Sequence, residues 1–354
     1  MDIMGVVMDI HEINLTQVEI KLIAEIDEFK GKWQVLRTLA PDRLQALRKV
    51  ATIESIGSST RIEGAKLSDR EVEELLTGIR IAQLRSRDEE EVTGYAECME
   101  LVFESYVVIP VDENHIKQLH QVLLKHAAKD ARHRGEYKKL PNHVEAFDAT
   151  GKSVGIVFET ATPFDTPRQM TELVSWLAQE WRERRSHPLL TIAEFVVHFL
   201  AIHPFQDGNG RLSRVLTTLL LLQAGYHYVP YSSLERIIEE NKDQYYLALR
   251  RAQQNLTGKR NAVLVWITFF LRALRKQVAA LEQKVKDEEK LAELPPLSAA
   301  LLQMARTDTH LTVRNAVKLT QGNRNTVKLH LKQLVNRGLL HQEGIGKGTW
   351  YRPA

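Results

Sequence analysis

Apolar residues recur along most of this chain at i, i+3, i+4 and i+7, the repeat of a helix with one buried face. The segments LTQVEIKLIAEIDEFKGKW, DREVEELLTGIRIAQL and ENHIKQLHQVLLKHAA all carry it. Their starts are marked as well. Ser68, three residues before Glu71, has the spacing of a capping box ahead of Val72 and Leu75, and Asp112 stands as an N-cap before the helix that holds Leu119. A long, charged, amphipathic helix is expected from about Asn261 to Leu291. It has to stop by Pro295-Pro296, because consecutive prolines cannot continue a helix. The pattern predicts a mainly α protein with a domain boundary near residue 293.

One stretch breaks the helical repeat. LPNHVEAFDATGKSVGIVFETATPFDTP, from Leu140 to Pro167, holds two short runs, HVEAF and VGIVF, around the turn-forming Asp148-Ala149-Thr150-Gly151. This predicts a β-hairpin. The ATGKS inside it looks like the tail of a phosphate-binding P-loop, but Ala146 stands where that motif needs its leading glycine. The run also precedes no helix, so the P-loop reading is rejected.

Composition narrows the class. The 354 residues are 44% hydrophobic and 26% charged, an ordinary soluble balance. At about 150 residues per domain that length suggests two domains. One cysteine, Cys98, excludes a disulfide framework and a cysteine-rich zinc site. It reads as a small buried apolar residue in a reducing compartment. The N-terminal MDIMGVVMDIHEIN carries acids where a secretory signal carries bases. The longest apolar stretch, Val215 to Leu222, is broken by two threonines and falls far short of a bilayer span. A cytoplasmic protein without a membrane partner is expected. Net charge is +3, but Leu294 to Ala354 holds nine Lys/Arg against two Asp/Glu, a net of +7, which leaves −4 on the remainder. The C-terminal piece is chemically distinct.

The candidate chemistry lies in IHPFQDGNGRLSR, Ile202 to Arg214. The apolar helix AEFVVHFLAIH ends at His203, where Pro204 stops it. Asp207-Gly208-Asn209-Gly210 turns the chain, and a second helix starts near Gly210. Its first turn presents unpaired N–H groups and the positive end of a dipole, an anion site that glycines let a phosphate approach closely. Arg211 and Arg214, three apart, project from one flank, and two guanidiniums suit a polyphosphate. Asp207 offers a hard oxygen for Mg²⁺, which commonly takes one or two carboxylates plus substrate phosphates. His203 sits across the turn as a candidate general base.

This segment resembles the Fic family signature HPFxDGNGRxxR and matches it at His203, Pro204, Phe205, Asp207, Gly208, Asn209, Gly210, Arg211 and Arg214. The resemblance, which extends over roughly Val50 to Arg260, implies a Fic-fold helical bundle with a β-hairpin flap and a protein adenylyltransferase activity. AMP would pass from ATP to a Ser, Thr or Tyr hydroxyl of a protein target, or of the protein itself, with release of pyrophosphate. His203 would deprotonate the hydroxyl and Asp207 would hold Mg²⁺ between the α- and β-phosphates. Gly208, Asn209 and Gly210 would cradle phosphate, the last two arginines would hold the β-phosphate (Arg211) and the γ-phosphate (Arg214), and Phe205 would anchor the core. The family's phosphotransferase branch carries a lysine in place of a glycine in this turn; Gly208 and Gly210 favour nucleotidyl transfer.

Three further segments gain meaning beside the motif. The hairpin resembles the family's flap, here about residues 140–167, with Val154, Gly155, Ile156, Val157 and Phe158 as the strand on which a target segment docks; Gly135 to Tyr137, GEY, resembles the approach to it. In ENKDQYYLALRRA, Tyr245 and Tyr246 occupy the place of a tyrosine pair near the nucleotide base. Upstream, Ser59-Thr60-Arg61-Ile62-Glu63-Gly64 puts Ser59 and Glu63 on one helix face, with Gly64 as a stop signal. It resembles the family's inhibitory motif (S/T)xxxE(G/N). Glu63 would pair with Arg214 and block the γ-phosphate, on an inhibitory helix of about residues 52–64. In some relatives the same glutamate helps remove AMP, so a reverse, de-AMPylating hydrolase also stands, as does a different nucleotide donor such as UTP.

The basic tail, Leu297 to Pro353, reads as helix, helix, turn, helix, hairpin, and resembles a winged helix-turn-helix. One helix is expected over Leu311–Leu319 and a second over Arg324–Arg337, with Arg324, Asn325, Lys328 and Lys332 on its open face. Contact with DNA and contact with a protein partner both stand. The expected organisation is therefore an N-terminal helical region over 1–100, a catalytic core over 101–292 and the winged-helix-like domain over 293–354. Many relatives are homodimers. A second function class remains: a DNA-binding regulator whose core only senses nucleotide.

Overall fold

The computed structural model describes residues 14–36, 41–78, 84, 86–142, 144–147, 153–254, 256, 262–292, 294–307 and 310–353. Two compact units are present, Met1–Leu281 and Glu282–Ala354. The division falls inside a helix, ahead of the proline pair at which the sequence pattern sets a boundary.

In the first unit the central elements are α7 (Pro188–Ile202) and α8 (Asn209–Gln223). Every residue of α7 from Leu189 onward is buried, and so is nearly all of α8. A helix buried on all faces belongs at the centre of a bundle. Each Leu, Ile or Phe sunk there contributes roughly 1.5–3 kcal/mol. Around this pair lie α1 (Gln17–Leu36), α2 (Pro41–Ile62), α3 (Asp69–Thr77), α4 (Arg87–Ser105), α5 (Glu113–Leu123), α6 (Thr166–Glu183), α9 (Leu234–Glu240), α10 (Lys242–Gln253) and α11 (Ala262–Ala292). α7 packs on α6 and α8, while α8 meets α2, α4 and α5. Gly94 makes the α4–α5 crossing close, since a Cβ there would run into the Leu123 carbonyl. The Trp266 indole N–H donates to Ala193 O at 2.7 Å and ties α11 to α7.

Local signals act as the sequence suggests. Ser68 and Glu71 form the capping box of α3, and Asp112 accepts from His115 N to cap α5. α3 stops at Thr77, with Gly78 as its C-cap; most of the remaining GIRIAQL lies outside the described residues. The hairpin pairs β1 (Val144–Phe147) with β2 (Ser153–Phe158) antiparallel, Val144 opposite Phe158 and Phe147 opposite Ser153. The expected turn at Asp148–Gly151 falls outside the described residues.

The second unit contains α12 (Pro296–Thr307), β3 (Leu311–Thr312), α13 (Val313–Thr320), α14 (Arg324–Asn336), β4 (Leu340–Glu343) and β5 (Trp350–Pro353). Its sheet runs β3-β5-β4. Leu301, Leu311, Val327, Leu331, Leu340 and Tyr351 share one apolar core. Leu311 and Thr312 do not open a helix as expected. They pair as a strand with Tyr351 and Trp350, and the Thr312 hydroxyl then caps α13 from Asn315 N. A side chain that caps a helix needs extended backbone, so the strand and the cap demand the same conformation. Arg324, Asn325, Lys328 and Lys332 are exposed on α14, opposite its buried Val327, Leu331 and Leu334. Among the described residues, no helix is long and apolar enough to cross a membrane.

Candidate active site

The turn between α7 and α8 is built on a strained residue. His203 caps α7 at φ 52, ψ 60, with its N–H donating to Phe199 O at 2.9 Å. A non-glycine residue in this region costs on the order of 1 kcal/mol and persists only where its surroundings hold it. Several contacts do so. The buried Phe205 ring stacks on His120 at 3.9 Å, and Phe205 bridges Tyr137. Asn209 closes the turn: its Oδ1 accepts from Phe205 N at 2.9 Å and its Nδ2 donates to Phe205 O at 2.7 Å. Sequence reasoning assigns the Asn209 amide to phosphate. Here Oδ1 and one N–H of Nδ2 are engaged with Phe205, which fixes the shape of the turn. Gly208, at φ 79, supplies the left-handed step before α8 begins.

Two neutral histidines flank this turn. His120 Nδ1 accepts from Gly135 N at 2.9 Å, so its Nε2–H donates to the Asp207 carbonyl, also at 2.9 Å. Burial pulls its pKa down to about 4. His203 Nδ1 donates to Leu200 O at 3.3 Å, which leaves the Nε2 lone pair free. Burial first, and then the nearby Lys138 ammonium, pull His203 to about 4 as well. At neutral pH the imidazole is uncharged and able to accept a proton.

Lys138 is a residue that sequence reasoning missed. It is buried, which pulls its pKa to about 7. Its Nζ donates to Asn142 Oδ1 at 2.8 Å, Thr160 Oγ1 at 2.9 Å and Ile202 O at 2.9 Å, and its backbone N–H donates to Pro204 O at 2.8 Å. Asn142 Nδ2 adds a bond to Phe205 O at 2.6 Å. Asn142 precedes β1 and Thr160 follows β2, so this hub fastens both roots of the hairpin to the backbone around His203. The available signal was position, immediately after the GEY already noted. His120 also carried a signal, a polar residue within the apolar stripe of α5.

The anion side is made by α8. Burial pushes the Asp207 carboxyl up, but Arg211, the Gly208 N–H and Arg87 outweigh it and hold the group below the usual carboxylate range. Arg211 and Arg214 are both buried. Arg211 Nε and Nη1 and Arg214 Nη1 are shut from solvent without a hydrogen-bond partner, although Arg211 Nη1 lies 3.2 Å from Glu91 Oε2. Buried donors in that condition are costly, and they fit a polyphosphate that supplies the acceptors. Asp207 offers an ionised carboxylate on the edge of this cluster. A hard oxygen donor beside phosphate-seeking arginines suits Mg²⁺, which takes its remaining ligands from phosphate and water.

The end of α2 closes the same space. Arg214 Nη2 donates to Glu63 Oε1 at 2.8 Å and to Ser59 O at 2.9 Å, and Arg214 Nε donates to Ser59 Oγ at 2.8 Å. Burial works against the guanidinium charge, yet the Glu63 carboxylate keeps it protonated. The Glu63 carboxylate also lies against Gly210, where any Cβ would collide with it. It therefore lies alongside the first turn of α8, beside the position that the sequence assigns to phosphate. Gly64, at φ 108, turns the chain away after it. Tyr95, on α4, backs Ser59 and donates to Glu235 Oε1 at 3.2 Å.

The tyrosine pair divides. Tyr245 is buried beside Arg214 and Trp266, whereas Tyr246 is 39% exposed, packed edge to face with Tyr245 and with Lys242 Nζ 6.0 Å from its ring centroid. The strand that holds Val154, Gly155, Ile156, Val157 and Phe158 runs past α10, the helix of these tyrosines.

Residues 110–221 match the Fic/DOC family. A curated relative from Drosophila mojavensis, named protein adenylyltransferase Fic, is 27% identical over 77% of this chain and 52% of its own length. One of the same name from Drosophila virilis is 27% identical over 73% of this chain and 51% of its own. The chain thus spans about half the length of the curated relatives it matches. Among solved structures, a Fic domain containing signaling protein from Bacteroides thetaiotaomicron superposes with TM-score 0.60 at 25% identity, covering 74% of this chain and 97% of that one. A Fic family protein from Desulfovibrio desulfuricans shares the fold with TM-score 0.60 at 22% identity, over 96% of this chain and 97% of its own. With its signature turn complete and inside the matched segment, this chain carries a Fic-family domain.

Proposed function

We propose that this chain is a protein adenylyltransferase that moves AMP from ATP to a Ser, Thr or Tyr hydroxyl and is restrained by Glu63. The observation that carries the reading is the meeting, on one turn, of a neutral His203 Nε2, an ionised Asp207 and unpartnered donors of Arg211 and Arg214. The names of the curated relatives supply the class of reaction.

In this reading, His203 Nε2 takes the proton of the target hydroxyl as its oxygen bonds to the α-phosphorus. The bond from that phosphorus to the bridging oxygen breaks, and pyrophosphate leaves with the electron pair. Mg²⁺ held by Asp207 neutralises phosphate charge when bound. Arg211, Arg214 and the first N–H groups of α8 face the charge that develops on phosphate oxygens, usually the largest catalytic term. Tyr246 offers a face for the base, and β2 offers an edge for an extended target segment. Glu63 blocks this by holding Arg214 and lying over Gly210, where the terminal phosphate has to go.

Purified wild type, Glu63→Gly and Glu63→Gly/His203→Ala incubated with labelled ATP test the reading. Self-modification is expected to rise in Glu63→Gly and vanish in the double variant. Equal incorporation by the two variants would remove His203 from its role. No incorporation by any variant, with a panel of donors and lysate as target, would favour the regulator reading.

That second reading rests on the exposed Arg324, Asn325, Lys328 and Lys332 of α14, which we read as a contact surface for DNA or a protein within a winged-helix-like domain over about 293–354. Protein contact is the better match, because nothing on that face is arranged to read base edges. The single thiol, Cys98, is buried and its pKa pushed up to about 12, in keeping with a cytoplasmic protein.

A further inference from the structure

The Asp207 carboxylate is held through one oxygen by two arginines. Arg87 Nη2 lies 2.9 Å from Asp207 Oδ2, and Arg211 Nη2 lies 3.2 Å from the same atom. Both arginines return to Glu91, Arg87 Nε to Oε1 at 2.7 Å and Arg211 Nη1 to Oε2 at 3.2 Å. The four side chains close a ring of alternating charge. Arg211 belongs to the signature; Arg87, the first residue of α4, belongs to no motif recognised in the sequence.

The two arginines differ in their freedom. The Arg211 side chain is 3% exposed and rises from the buried α8, so moving it would strand a charge in the interior. The Arg87 side chain is 48% exposed. It has other carboxylates to rest on, Glu91 already in contact and Asp130 Oδ2 at 3.8 Å. Its guanidinium can leave Asp207 without losing all partners or its water.

We propose that Arg87 is a gate on the cation-binding carboxylate. In the nucleotide-free protein its guanidinium takes the place at Asp207 Oδ2 that a divalent cation takes, and it withdraws toward Glu91 and Asp130 when the cation arrives with nucleotide. This rests on the assignment of Asp207 as the Mg²⁺ ligand. An oxygen that accepts from two guanidiniums has little left for a third cation, so Arg87 and Mg²⁺ compete for it. Arg87 is thus a positioning residue, and its removal favours metal binding. A direct phosphate contact by Arg87 would have the opposite effect, because its removal would weaken nucleotide binding with or without metal.

The test uses full-length protein and ADP, which lacks the γ-phosphate and so leaves the Glu63–Arg214 pair undisturbed. ADP affinity is measured by calorimetry across a Mg²⁺ series for wild type, Arg87→Gln, Arg87→Lys and Asp207→Ala. A half-exposed ion pair is modest in strength, so the half-saturating Mg²⁺ in Arg87→Gln is expected to fall about three- to fivefold. Affinity without Mg²⁺ should not change. Arg87→Lys keeps a cation with a single compact head and should shift less in the same direction, which also serves if the Gln variant melts early. An unchanged half-saturation in both variants, or an equal loss of ADP affinity with and without Mg²⁺, overturns the gate. If Asp207→Ala instead keeps the wild-type Mg²⁺ dependence, it is the Asp207 assignment that fails, and the gate with it.

Discussion

The two walls of the candidate active site are made in opposite ways. One wall, His203 to Arg214, is continuous in sequence and sits between two helices sunk in apolar core. The other, Ser59 to Gly64, comes from the end of α2, whose buried face mixes Ser55, Ser58, Ser59 and Thr60 with Ile56 and Ile62. α2 is further tied by ions, Arg61 to Glu239 at 2.6 Å and to Asp69 at 2.9 Å. Small polar side chains and part-exposed ion pairs are cheaper to separate than a helix of Leu and Phe. The motif wall is therefore the fixed one, and the α2 wall is the one fitted to yield. The proposed function places the brake on the second kind of wall and the catalytic base on the first.

Substitutions on each wall should sharpen this contrast. The largest effect is expected from His203→Ala in the Glu63→Gly background, a loss of about 10²–10⁴-fold in AMP transfer, the usual contribution of a general base. Next is Glu63→Gly itself, a gain of at least about tenfold in self-modification, read by intact mass, since one lost ion pair at a buried arginine exceeds about 1.4 kcal/mol. Ser59→Ala removes one of the bonds that set Arg214 but leaves Glu63, so a gain of only about two- to fivefold is expected. A larger gain than that of Glu63→Gly would mean that the serine, and not the carboxylate, is the brake.

Lys138→Met probes the fixed wall by pH. Lys138 lowers the His203 pKa, so losing its charge should raise it. The acid limb of the transfer rate in the Glu63→Gly protein should then move to higher pH. A limb that stays in place would show that the hub does not act on His203. The smallest effect is structural. Asn209→Ala should lower stability by about 1–3 kcal/mol in denaturant unfolding, because it takes the acceptor from the buried Phe205 N–H, while Asn142 still serves the carbonyl.

Acid should also weaken the fold in a defined window. His120 and His203 have folded pKa values near 4, below the ordinary 6.5. Above pH 6.5 both are neutral in either state and contribute no pH dependence. As pH falls from 6.5 toward 4, the unfolded chain binds protons that the folded one refuses. Each histidine then removes up to about 1.4 kcal/mol per pH unit.

Much was legible in the chain itself. Helical periodicity gave the bundle, Ser68 and Asp112 gave two helix starts, and a run of twelve residues gave the histidine, carboxylate and arginines of the candidate site in one stroke. These are local properties, because caps, turns and repeats are fixed by residues within a few positions of each other. Leu311 misled for the same reason, since only its distant partner Tyr351 makes it a strand.

The sequence by itself determined which groups the signature turn would present, because a proline stop, two glycines and a helix start force them together. Only the tertiary structure decided what those groups face. It set Glu63 against Arg214 and Gly210 across about 150 residues of chain, turned Asn209 onto Phe205, fastened the hairpin roots to His203 through Lys138, and laid Arg87 on Asp207. Each of those contacts is made by a buried or half-buried polar group seeking a partner, and the partner is chosen by how the helices pack.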